Sequence, residues 1–570
     1  MDLKHPLFSV PRIDSVQDMI LNSSREFAGK LAMEDLTDTP IKTLSFEELH
    51  DHILRFGAGL RELGVKERTH IAVIGENRVQ WALTYLTAMA FNYVVVPIDR
   101  NLTANEILNI IYESGSEVIV FSKSFNNLMD EEALAIKKLK FKISMDMIEE
   151  EDGFISMPNL IKKAKPLPEA ELPKIDPDEI AEIIFTSGSL GRAKGVMLSQ
   201  RNLATNLSSM TSMIEITKAD RFLSVLPMHH TYECTCGMLC PLYRGASVHF
   251  ARSLKTIVDD IQTVKATILL GVPLLFDKMF KRISKTIKDD KVKSKVVPPL
   301  VKLTGFLQSV GLKDVKKKLF KEMHAKFGGH VRIFIAGGAA PDPEVAKGLR
   351  DFGFTFIQGY GLTETAPIVA LNRLMAFKDD AAGLPLPGVE LKIDQPDADG
   401  VGEVLVKGKN VMLGYYKNEE LTKQVFQDGY FKTGDLGYID SDGFLHIRGR
   451  QKNVIIASNG KNVFPEEIED ILNRHPLVLE SFVFGEEDSK HLEIIAAQIV
   501  LNAETLIEYS EKNNIKIEKE MMNKLVADIV KEANKHLASY KQIKKFYVRE
   551  KEFEKTTTQK IKRYLVKSGE

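Results

Sequence analysis

The sequence predicts an α/β fold built from layers of helices and largely parallel sheets. Short apolar runs at residues 71–74, 94–97 and 118–121 alternate with stretches of helical periodicity, which is the pattern of βαβ units. The chain has 570 residues, too many for one hydrophobic core, so we expect two or more domains.

Two capping boxes predict where early helices begin. Ser45 is followed three residues later by Glu48, and Thr103 by Glu106, so each hydroxyl can cap a helix whose third residue returns a hydrogen bond. After Ser45, apolar residues recur at helical spacing until Gly64 ends the run. These elements predict an α/β core and indicate no function.

Composition excludes some partners. A net charge of −1, with 44% hydrophobic and 27% charged residues, is typical of a globular protein and gives no general attraction to nucleic acid. The amino terminus lacks the apolar core of a secretory signal. The most apolar window, 266–276, is too short to span a bilayer and is broken by Pro273. We therefore expect a cytoplasmic protein with no nucleic-acid partner.

Three cysteines lie close together in an apolar segment: Cys234, Cys236 and Cys240. The neighbouring histidines, His229, His230 and His249, complete no familiar zinc spacing with them. We therefore expect the cysteines to pack as small hydrophobic residues in a reduced compartment.

A loop rich in glycine and hydroxyl groups follows the apolar run 183–185 and ends on a lysine. Its candidate phosphate-binding residues are Thr186, Ser187, Gly188, Ser189, Gly191 and Lys194. Glycines let backbone N–H groups turn toward one point, the hydroxyls add donors, and the lysine adds a positive charge. The loop is therefore predicted to bind a polyanion, such as a nucleotide triphosphate.

Two alternatives fit this loop less well. In a Walker loop the lysine also lies six residues after the first glycine, but here Ala193 replaces the second glycine and Gly195 replaces the Mg²⁺-binding hydroxyl. A Walker loop also opens directly into a helix, whereas residues 195–198 predict a strand and Ser199 caps the next helix. A flexible Gly/Ser loop seldom has strands on both sides.

Segment 186–195 resembles the signature loop of the adenylate-forming enzymes, the superfamily of acyl-CoA synthetases, luciferases and nonribosomal adenylation domains. The usual form is T-S-G-T-T-G-x-P-K-G, and this chain departs from it at Leu190 and Ala193. The leucine removes one hydroxyl from the phosphate cradle.

Two further glycine turns follow strand-like runs. Residues 332–336 lead into Gly337, Gly338 and Ala339, and residues 354–358 lead into 359–364, which match the family motif G-Y-G-x-T-E fully. Ligands of open α/β sheets bind at the carboxyl ends of strands, so we expect both turns to border the ligand.

The resemblance assigns roles to these turns. It implies that adenine lies against Tyr360 and Gly361, with Gly337, Gly338 and Ala339 allowing close approach of the backbone. It implies that Thr363 contacts the α-phosphate and that Glu364 binds Mg²⁺, for which a carboxylate is a suitable ligand.

Later motifs extend the resemblance. It implies that Asp435 accepts hydrogen bonds from the ribose hydroxyls and that Arg450 adds a polar contact to the ribose or phosphate. It also implies that Lys452 occupies the hinge and that Gly460 lines the channel for pantetheine. Lys560 fits the family lysine that contacts the carboxylate and α-phosphate, although Glu554 and Gln559 replace the usual proline and glycine around it. The plain alternative for Lys560 is a solvated terminal charge.

Two segments indicate an acyl substrate. Residues 226–230 resemble the family's L-P-x-x-H motif, with His230 beside the acyl group; the alternative is a histidine that satisfies buried backbone. Residues 271–278 resemble a segment of long-chain fatty acyl-CoA synthetases.

A basic region, 281–326, follows this segment, and its lysines and arginine outnumber its acids. Its plain interpretation is a solvated helical face. The alternative hypothesis is peripheral docking on an anionic membrane, on its inner face.

The resemblance extends over residues 44–563 and implies an AMP-forming long-chain fatty acid–CoA ligase that uses ATP, Mg²⁺ and coenzyme A. It also implies a large N-terminal domain of layered α/β subdomains plus a β-rich subregion, 1–449, and a small mobile α+β C-terminal domain, 450–570. An acyl-carrier-protein ligase is the close alternative. A binding protein for fatty acid or nucleotide that has lost catalysis is an alternative of another class. The sequence predicts no oligomeric state.

Overall fold

The computed structural model describes residues 6–37, 40, 42–132, 136–147, 153–186, 193–291, 293–309, 315–457, 461–487, 493–556 and 560–566. The chain divides into two compact units. The first contains Met1–Glu390 and Val406–Phe431, and the second contains Leu391–Leu405 and Lys432–Glu570.

The strands, numbered in chain order, are β1 (Leu31–Asp35), β2 (Thr43–Ser45), β3 (His70–Ile74), β4 (Val94–Pro97), β5 (Val118–Phe121), β6 (Phe141–Ser144), β7 (Ile155–Ser156), β8 (Ile180–Thr186), β9 (Lys194–Ser199), β10 (Arg221–Ser224), β11 (Ser247–Phe250), β12 (Ile268–Gly271), β13 (Ile333–Ala336), β14 (Thr355–Gly361), β15 (Ile368–Leu371), β16 (Leu384–Pro385), β17 (Glu390–Asp394), β18 (Gly402–Lys407), β19 (Gly414–Tyr415), β20 (Phe426–Gln427), β21 (Tyr430–Ile439), β22 (Leu445–Arg450), β23 (Ile455–Ile456), β24 (Asn462–Val463), β25 (Val478–Glu487), β26 (Glu493–Leu501) and β27 (Ile543–Arg549).

The α-helices, numbered in the same way, are α1 (Val16–Phe27), α2 (Phe46–Glu62), α3 (Val79–Ala90), α4 (Ala104–Ser114), α5 (Met157–Lys163), α6 (Gln200–Met213), α7 (Cys240–Tyr243), α8 (Ile257–Val264), α9 (Pro273–Asp289), α10 (Lys293–Ser309), α11 (Val315–Leu319), α12 (Lys321–Lys326), α13 (Pro343–Asp351), α14 (Glu419–Val425), α15 (Pro465–Asn473), α16 (Ala503–Asn513) and α17 (Lys519–Lys535).

The predicted helix starts are confirmed by their capping hydrogen bonds. The Glu48 N–H donates to Ser45 Oγ at 3.1 Å, and the Ser45 N–H donates to Glu48 Oε2 at 2.8 Å. Thr103 forms the same box with Glu106 at the start of α4. Ser199 caps α6, and the strand β9 lies between the phosphate loop and this helix. This order was predicted, and it differs from that of a Walker loop.

Two mixed sheets, largely parallel, organise the first unit. Within the described residues, nine strands form one sheet in the order β16-β15-β14-β13-β12-β10-β11-β1-β2, and eight form another in the order β19-β9-β8-β4-β3-β5-β6-β7. β12, β13 and β14 are parallel neighbours, and so are β3, β4 and β5. The predicted α/β class is therefore confirmed.

Both sheets turn one face toward a shared hydrophobic core. In β3, Ile71 and Val73 belong to this core, whereas Ala72 faces another cluster. In β13, Ile333 belongs to the shared core and Phe334 to an aromatic cluster on the opposite face, since alternate residues of a strand point to opposite faces. Every residue of α3 is buried.

The second unit has its own core and an α+β composition. β25, β26 and β27 form a three-stranded sheet whose buried residues pack with those of α15 and α17. β17, β18, β21 and β22 are successive neighbours in another sheet, which corresponds to the predicted β-rich subregion. The resemblance assigned this subregion to domain 1–449, whereas most of its strand residues belong to the second unit. The mobility of the C-terminal domain stays a prediction.

The cysteines pack as predicted. All three are buried, Cys234 and Cys236 in a π-helix over Tyr232–Leu239 and Cys240 in α7. Cys236 Sγ lies 3.8 Å from Met210 Sδ.

In the described part of the chain, no helix is long and apolar enough to cross a membrane.

The interpretation of the basic region as a solvated face is wrong for Lys316. This residue is 9% exposed, its Nζ donates to the Arg350 carbonyl at 3.2 Å, and it lies 3.4 Å from Asp351 Oδ1. The end of α13 supplies these partners, so Lys316 holds α11 in place. Its neighbours Lys317 and Lys318 are exposed.

Buried carboxyl groups make the stability of the first unit depend on pH. Glu182 in β8 is 1% exposed and accepts a hydrogen bond from Tyr85 Oη at 3.1 Å. Burial raises the pKa of Glu182 to about 8, against the opposing effect of that bond. Burial likewise raises the pKa of Glu233 to about 8. Both groups stay protonated in the folded protein at pH values where an unfolded carboxyl has lost its proton.

We predict that Glu182→Gln flattens this pH dependence. For a raised folded-state pKa, stability is fully present below the unfolded value near 4.5 and falls as the pH rises toward 8. The variant should therefore remove up to roughly 1.4 kcal/mol per pH unit from the slope between pH 5 and 8. Urea unfolding followed by the fluorescence of Trp81, the only tryptophan, measures it. The exposed Glu62→Gln should keep the wild-type slope; an unchanged slope in Glu182→Gln would contradict the prediction.

Candidate active site

The phosphate loop is closed at its base by a hairpin. β8 and β9 are antiparallel, with Thr186 opposite Lys194, and Thr186 Oγ1 donates to the Lys194 carbonyl at 3.5 Å. The loop residues Ser187, Gly188, Ser189 and Gly191 lie outside the described residues. The hairpin therefore fixes where the loop begins and ends.

Tyr415 connects the lysine of this loop to the acidic motif. β19 pairs with β9, which places Tyr415 opposite Val196. The Lys194 Nζ lies 5.3 Å from the centroid of the buried Tyr415 ring, within the range of a cation–π contact. Tyr415 Oη lies 2.9 Å from Glu364 Oε1, to which it donates a hydrogen bond. Two of the predicted catalytic residues, Lys194 and Glu364, are thus brought together.

Two buried asparagines hold the acidic motif in place. Thr363 and Glu364 lie in a short 3₁₀ helix, Thr363–Thr365, which follows β14. Asn410 Nδ2 donates to the carbonyls of Thr365 and Ile368 at 3.1 Å each, and Asn206 Nδ2 donates to the Ile368 carbonyl at 2.7 Å. The Met412 N–H donates to the Glu364 carbonyl at 2.8 Å. The backbone around Glu364 is therefore positioned by two separate segments, α6 through Asn206 and residues 410–412.

The two glycine turns lie at neighbouring strand ends, as predicted. Gly337, Gly338 and Ala339 follow β13, and Tyr360 and Gly361 complete β14. The parallel register of these strands pairs Ala336 with Gln358, so both turns leave the same edge of the sheet.

Two glycines are required at these turns for steric reasons. A Cβ at Gly337 would lie 2.7 Å from the Tyr232 ring, and one at Gly361 would lie 1.9 Å from the Pro367 carbonyl oxygen. Tyr232 itself donates to the Ile335 carbonyl at 3.0 Å, so its ring cannot easily move aside.

His230 lies between β10 and the π-helix that begins at Tyr232. It is half-buried, and its ring centroid lies 4.2 Å from that of His229. Its backbone N–H donates to the Pro227 carbonyl at 3.1 Å. Neither the acyl role nor the plain structural role of His230 is tested by this geometry.

The second unit brings together three of its predicted site residues, Asp435, Arg450 and Lys560. Asp435 is buried, and its Oδ1 lies 2.7 Å from Arg450 Nε, across the pairing of β21 with β22. Lys560 keeps an exposed surface, yet loss of surrounding water lowers its pKa; the Arg450 charge lowers it further, and Asp435 raises it.

Hydrogen bonds fix the backbone around Lys560. The Thr556 N–H donates to the Lys560 carbonyl at 2.8 Å, and the Lys560 N–H donates to Thr556 Oγ1 at 3.2 Å. Gly460, predicted for the thiol channel, lies outside the described residues.

Sequence reasoning missed Tyr415 and Tyr232. Tyr415 follows Glu364 by about fifty positions, and no fixed spacing links an aromatic residue to the acidic motif. In the sequence, the glycine before Tyr415 is the one local sign of a constrained position. The structure explains this glycine, because a Cβ at Gly414 would lie 2.7 Å from Thr422. Tyr232 was visible only as the residue two positions after His230.

A lysine at the base of a hairpin loop, linked to a carboxylate beside two sheet-end turns, defines an α/β enzyme with a site for a charged ligand. The profile of the AMP-binding enzyme family matches residues 22–416, and that of the AMP-binding enzyme C-terminal domain matches residues 467–560. The chain belongs to the AMP-binding enzyme family.

Curated relatives cover most of the chain. The long-chain-fatty-acid–CoA ligase FadD15 of Mycobacterium bovis is 28% identical over 98% of this chain and 96% of its own length. The long-chain-fatty-acid–[acyl-carrier-protein] ligase AEE15 of Arabidopsis thaliana, a chloroplastic protein, is 27% identical over 83% of this chain and 75% of its own length.

A solved structure confirms the fold. The anthranilate CoA ligase AuaEII in complex with anthranoyl-AMP matches with a TM-score of 0.78 and 21% identity, over 97% of each chain. At this identity the likeness establishes the architecture alone.

We predict that Tyr415→Phe weakens the binding of ATP with Mg²⁺ by about 10-fold, because Glu364 loses a hydrogen bond to its charged carboxylate. Tyr415→Leu should cost about threefold more, since it also removes the ring beneath Lys194. Calorimetric titration with ATP and Mg²⁺ measures both. The neighbouring Tyr416→Phe is the matched control and should bind as the wild type does. Equal affinities in all three variants would contradict the prediction.

Proposed function

We propose that this protein is an AMP-forming ligase that activates a long-chain fatty acid with ATP and transfers the acyl group to coenzyme A. A carboxylate oxygen of the fatty acid bonds to the α-phosphorus as pyrophosphate leaves. The thiol sulfur then bonds to the acyl carbon, AMP leaves, and the thiol proton is lost. The observation that carries the proposal is the Lys194–Tyr415–Glu364 arrangement within a chain of this family.

The chemistry of the first step demands control of charge. The attacking carboxylate and the α-phosphate are both negative, so the site must offset their repulsion and stabilise the charge of the five-coordinate phosphorus. In this proposal Lys194 and the phosphate loop hold the triphosphate, Thr363 contacts the α-phosphate, and adenine lies against Tyr360. His230 lies beside the acyl group.

Glu364 fits the role of a Mg²⁺ ligand. Its Oε1 accepts from Tyr415, which orients the carboxylate, and hard oxygen donors are what this cation prefers. Bound there, Mg²⁺ would neutralise phosphate charge. Lys194 contacts the face of the same Tyr415 ring, so the ring joins the cation to the proposed Mg²⁺ ligand.

The second unit carries further residues that the resemblance assigns to the nucleotide. We propose that Asp435 accepts hydrogen bonds from the ribose, that Arg450 adds a polar contact, and that Lys560 contacts the carboxylate and α-phosphate. Gly460 would line the thiol channel, and Lys452 would serve as the hinge between domains 1–449 and 450–570.

The acyl acceptor distinguishes the main alternative. Coenzyme A and acyl carrier protein present the same pantetheine thiol, and the relatives include ligases of both kinds. Thioester formation from the same fatty acid and ATP, with each thiol offered separately, decides between them. Absence of pyrophosphate release with every fatty acid would instead favour the binding protein without catalysis.

We predict that Lys560→Ala lowers adenylate formation by roughly 10²- to 10³-fold, the usual effect of losing one preorganised charge contact, yet spares thioester synthesis from added acyl-adenylate. Pyrophosphate release measures the first half-reaction, and thioester formation measures the second. Lys562→Ala, two residues away, is the control and should preserve both. Equal loss of both half-reactions in Lys560→Ala would refute this division.

We also propose that α10 contacts an anionic membrane. Its exposed apolar residues Val296, Leu303 and Phe306 are 46%, 51% and 64% exposed, and helical spacing places them on one side. Lys295 and Lys302 are exposed beside this stripe. An apolar stripe with lysines along one side suits a helix that lies in the interface of an anionic bilayer.

We predict that Leu303→Ser with Phe306→Ser lowers vesicle affinity by at least about 10-fold, because two large side chains no longer leave water. Co-sedimentation with vesicles of anionic phospholipid measures it, and vesicles of phosphatidylcholine alone should bind less wild-type protein. Leu254→Ser, at an exposed leucine elsewhere in the first unit, is the matched control. Failure of the wild-type protein to bind anionic vesicles, or binding of the double variant as strong as that of the wild type, would rule out this surface.

The cytoplasmic location stays a prediction.

A further inference from the structure

Three potential metal ligands, Asp99, His229 and His230, lie close together in the first unit. Asp99 is more than a hundred residues away in sequence from the two histidines. Asp99 follows β4, whereas His229 and His230 follow β10. One ligand atom from each of these residues lies within 4.8 Å of the other two. His229 Nε2 lies 3.4 Å from Asp99 Oδ2.

The buried nitrogen of His229 is left unsatisfied. The His229 side chain is 9% exposed and that of Asp99 is 19% exposed. Among the described residues, none makes a hydrogen bond to His229 Nε2. A buried polar atom without a partner costs roughly 1–3 kcal/mol. A cation placed between this nitrogen and the Asp99 carboxylate would satisfy both groups.

The spacing of these atoms suits a tetrahedral metal ion. Zn²⁺ binds imidazole nitrogen and carboxylate oxygen at about 2.0–2.2 Å, so two ligands at the tetrahedral angle lie roughly 3.4 Å apart. That is the observed separation between His229 and Asp99. The third ligand atom, from His230, lies within 4.8 Å of the other two, and the His230 ring centroid lies 4.2 Å from that of His229.

The surrounding residues hold the histidine segment in place. Asn77 Nδ2 donates to the Leu226 carbonyl at 2.6 Å, and the Met228 N–H donates to Asn77 Oδ1 at 3.1 Å. The Cys234 N–H donates to the His230 carbonyl at 2.9 Å. Burial raises the pKa of the Cys234 thiol well above its usual value, which disfavours the thiolate form as a competing ligand.

We propose that Asp99, His229 and His230 form a binding site for a divalent transition metal such as Zn²⁺, separate from the Mg²⁺ site at Glu364. Two imidazoles and one carboxylate select such ions over Mg²⁺, which prefers oxygen ligands alone. A water molecule would complete four-coordination. The bound ion would connect the end of β4 to the segment after β10, and thus one sheet of the first unit to the other.

The test uses the full-length protein, treated with chelator and then titrated with Zn²⁺ alone in a calorimeter. One Zn²⁺ should bind per chain, and His229→Gln and Asp99→Asn should each weaken binding by more than about 100-fold, beyond what loss of an outer-shell partner costs. The exposed His330→Gln is the matched control and should bind as the wild type does. If His229→Gln fails to fold, Asp99→Asn still decides.

Co²⁺ gives a second readout, independent of ligase activity. Its visible absorption should indicate tetrahedral coordination without the intense thiolate band that ligation by Cys234 or Cys236 would produce. No binding of Zn²⁺, unchanged affinity in Asp99→Asn, or a thiolate band would each overturn the proposal. Because the titration contains neither ATP nor fatty acid, its failure leaves the proposed ligase function untouched.

Discussion

The position of Tyr415 between Lys194 and Glu364 is the contact on which the first-unit site depends. The ring of Tyr415 lies below the lysine ammonium, and its hydroxyl donates to the carboxylate. This arrangement requires the register of β19 on β9, because a slip of one residue would turn Tyr415 to the other face. Backbone pairing thus controls the electrostatics of the site.

The second unit handles charge differently. Asp435 is paired directly with Arg450, and the pKa of Lys560 is lowered by loss of water and by the neighbouring guanidinium. An anion bound beside this lysine would offset its repulsion from Arg450 and so stabilise its charged form. Each unit therefore carries cationic groups suited to a ligand with several negative charges.

Local sequence patterns predicted the fold well because their physical causes are local. The capping boxes at Ser45 and Thr103, the strand after the phosphate loop and the turns at Gly337 and Tyr360 were all predictable from neighbouring residues. Lys316 was misjudged because a lysine in a basic run gives no sign that α13 will supply partners.

The contacts of the site were harder to predict than its motifs. Tyr415 depends on strand pairing between segments more than two hundred residues apart. The approach of Asp99 to His229 depends on two sheets packing together. The spacing of residues along the chain predicts neither this contact nor the position of Tyr415. The loop residues 187–192 lie outside the described part of the chain, so their predicted roles rest on resemblance.

The complete burial of α3 has a consequence for how the first unit folds. This helix, with Trp81 and Tyr85, lies in the core to which both sheets contribute, so neither sheet alone can enclose it. An intermediate with only one sheet formed would leave aromatic surface open to water and prone to self-association. We therefore expect α3 to become fully buried only when both sheets have formed.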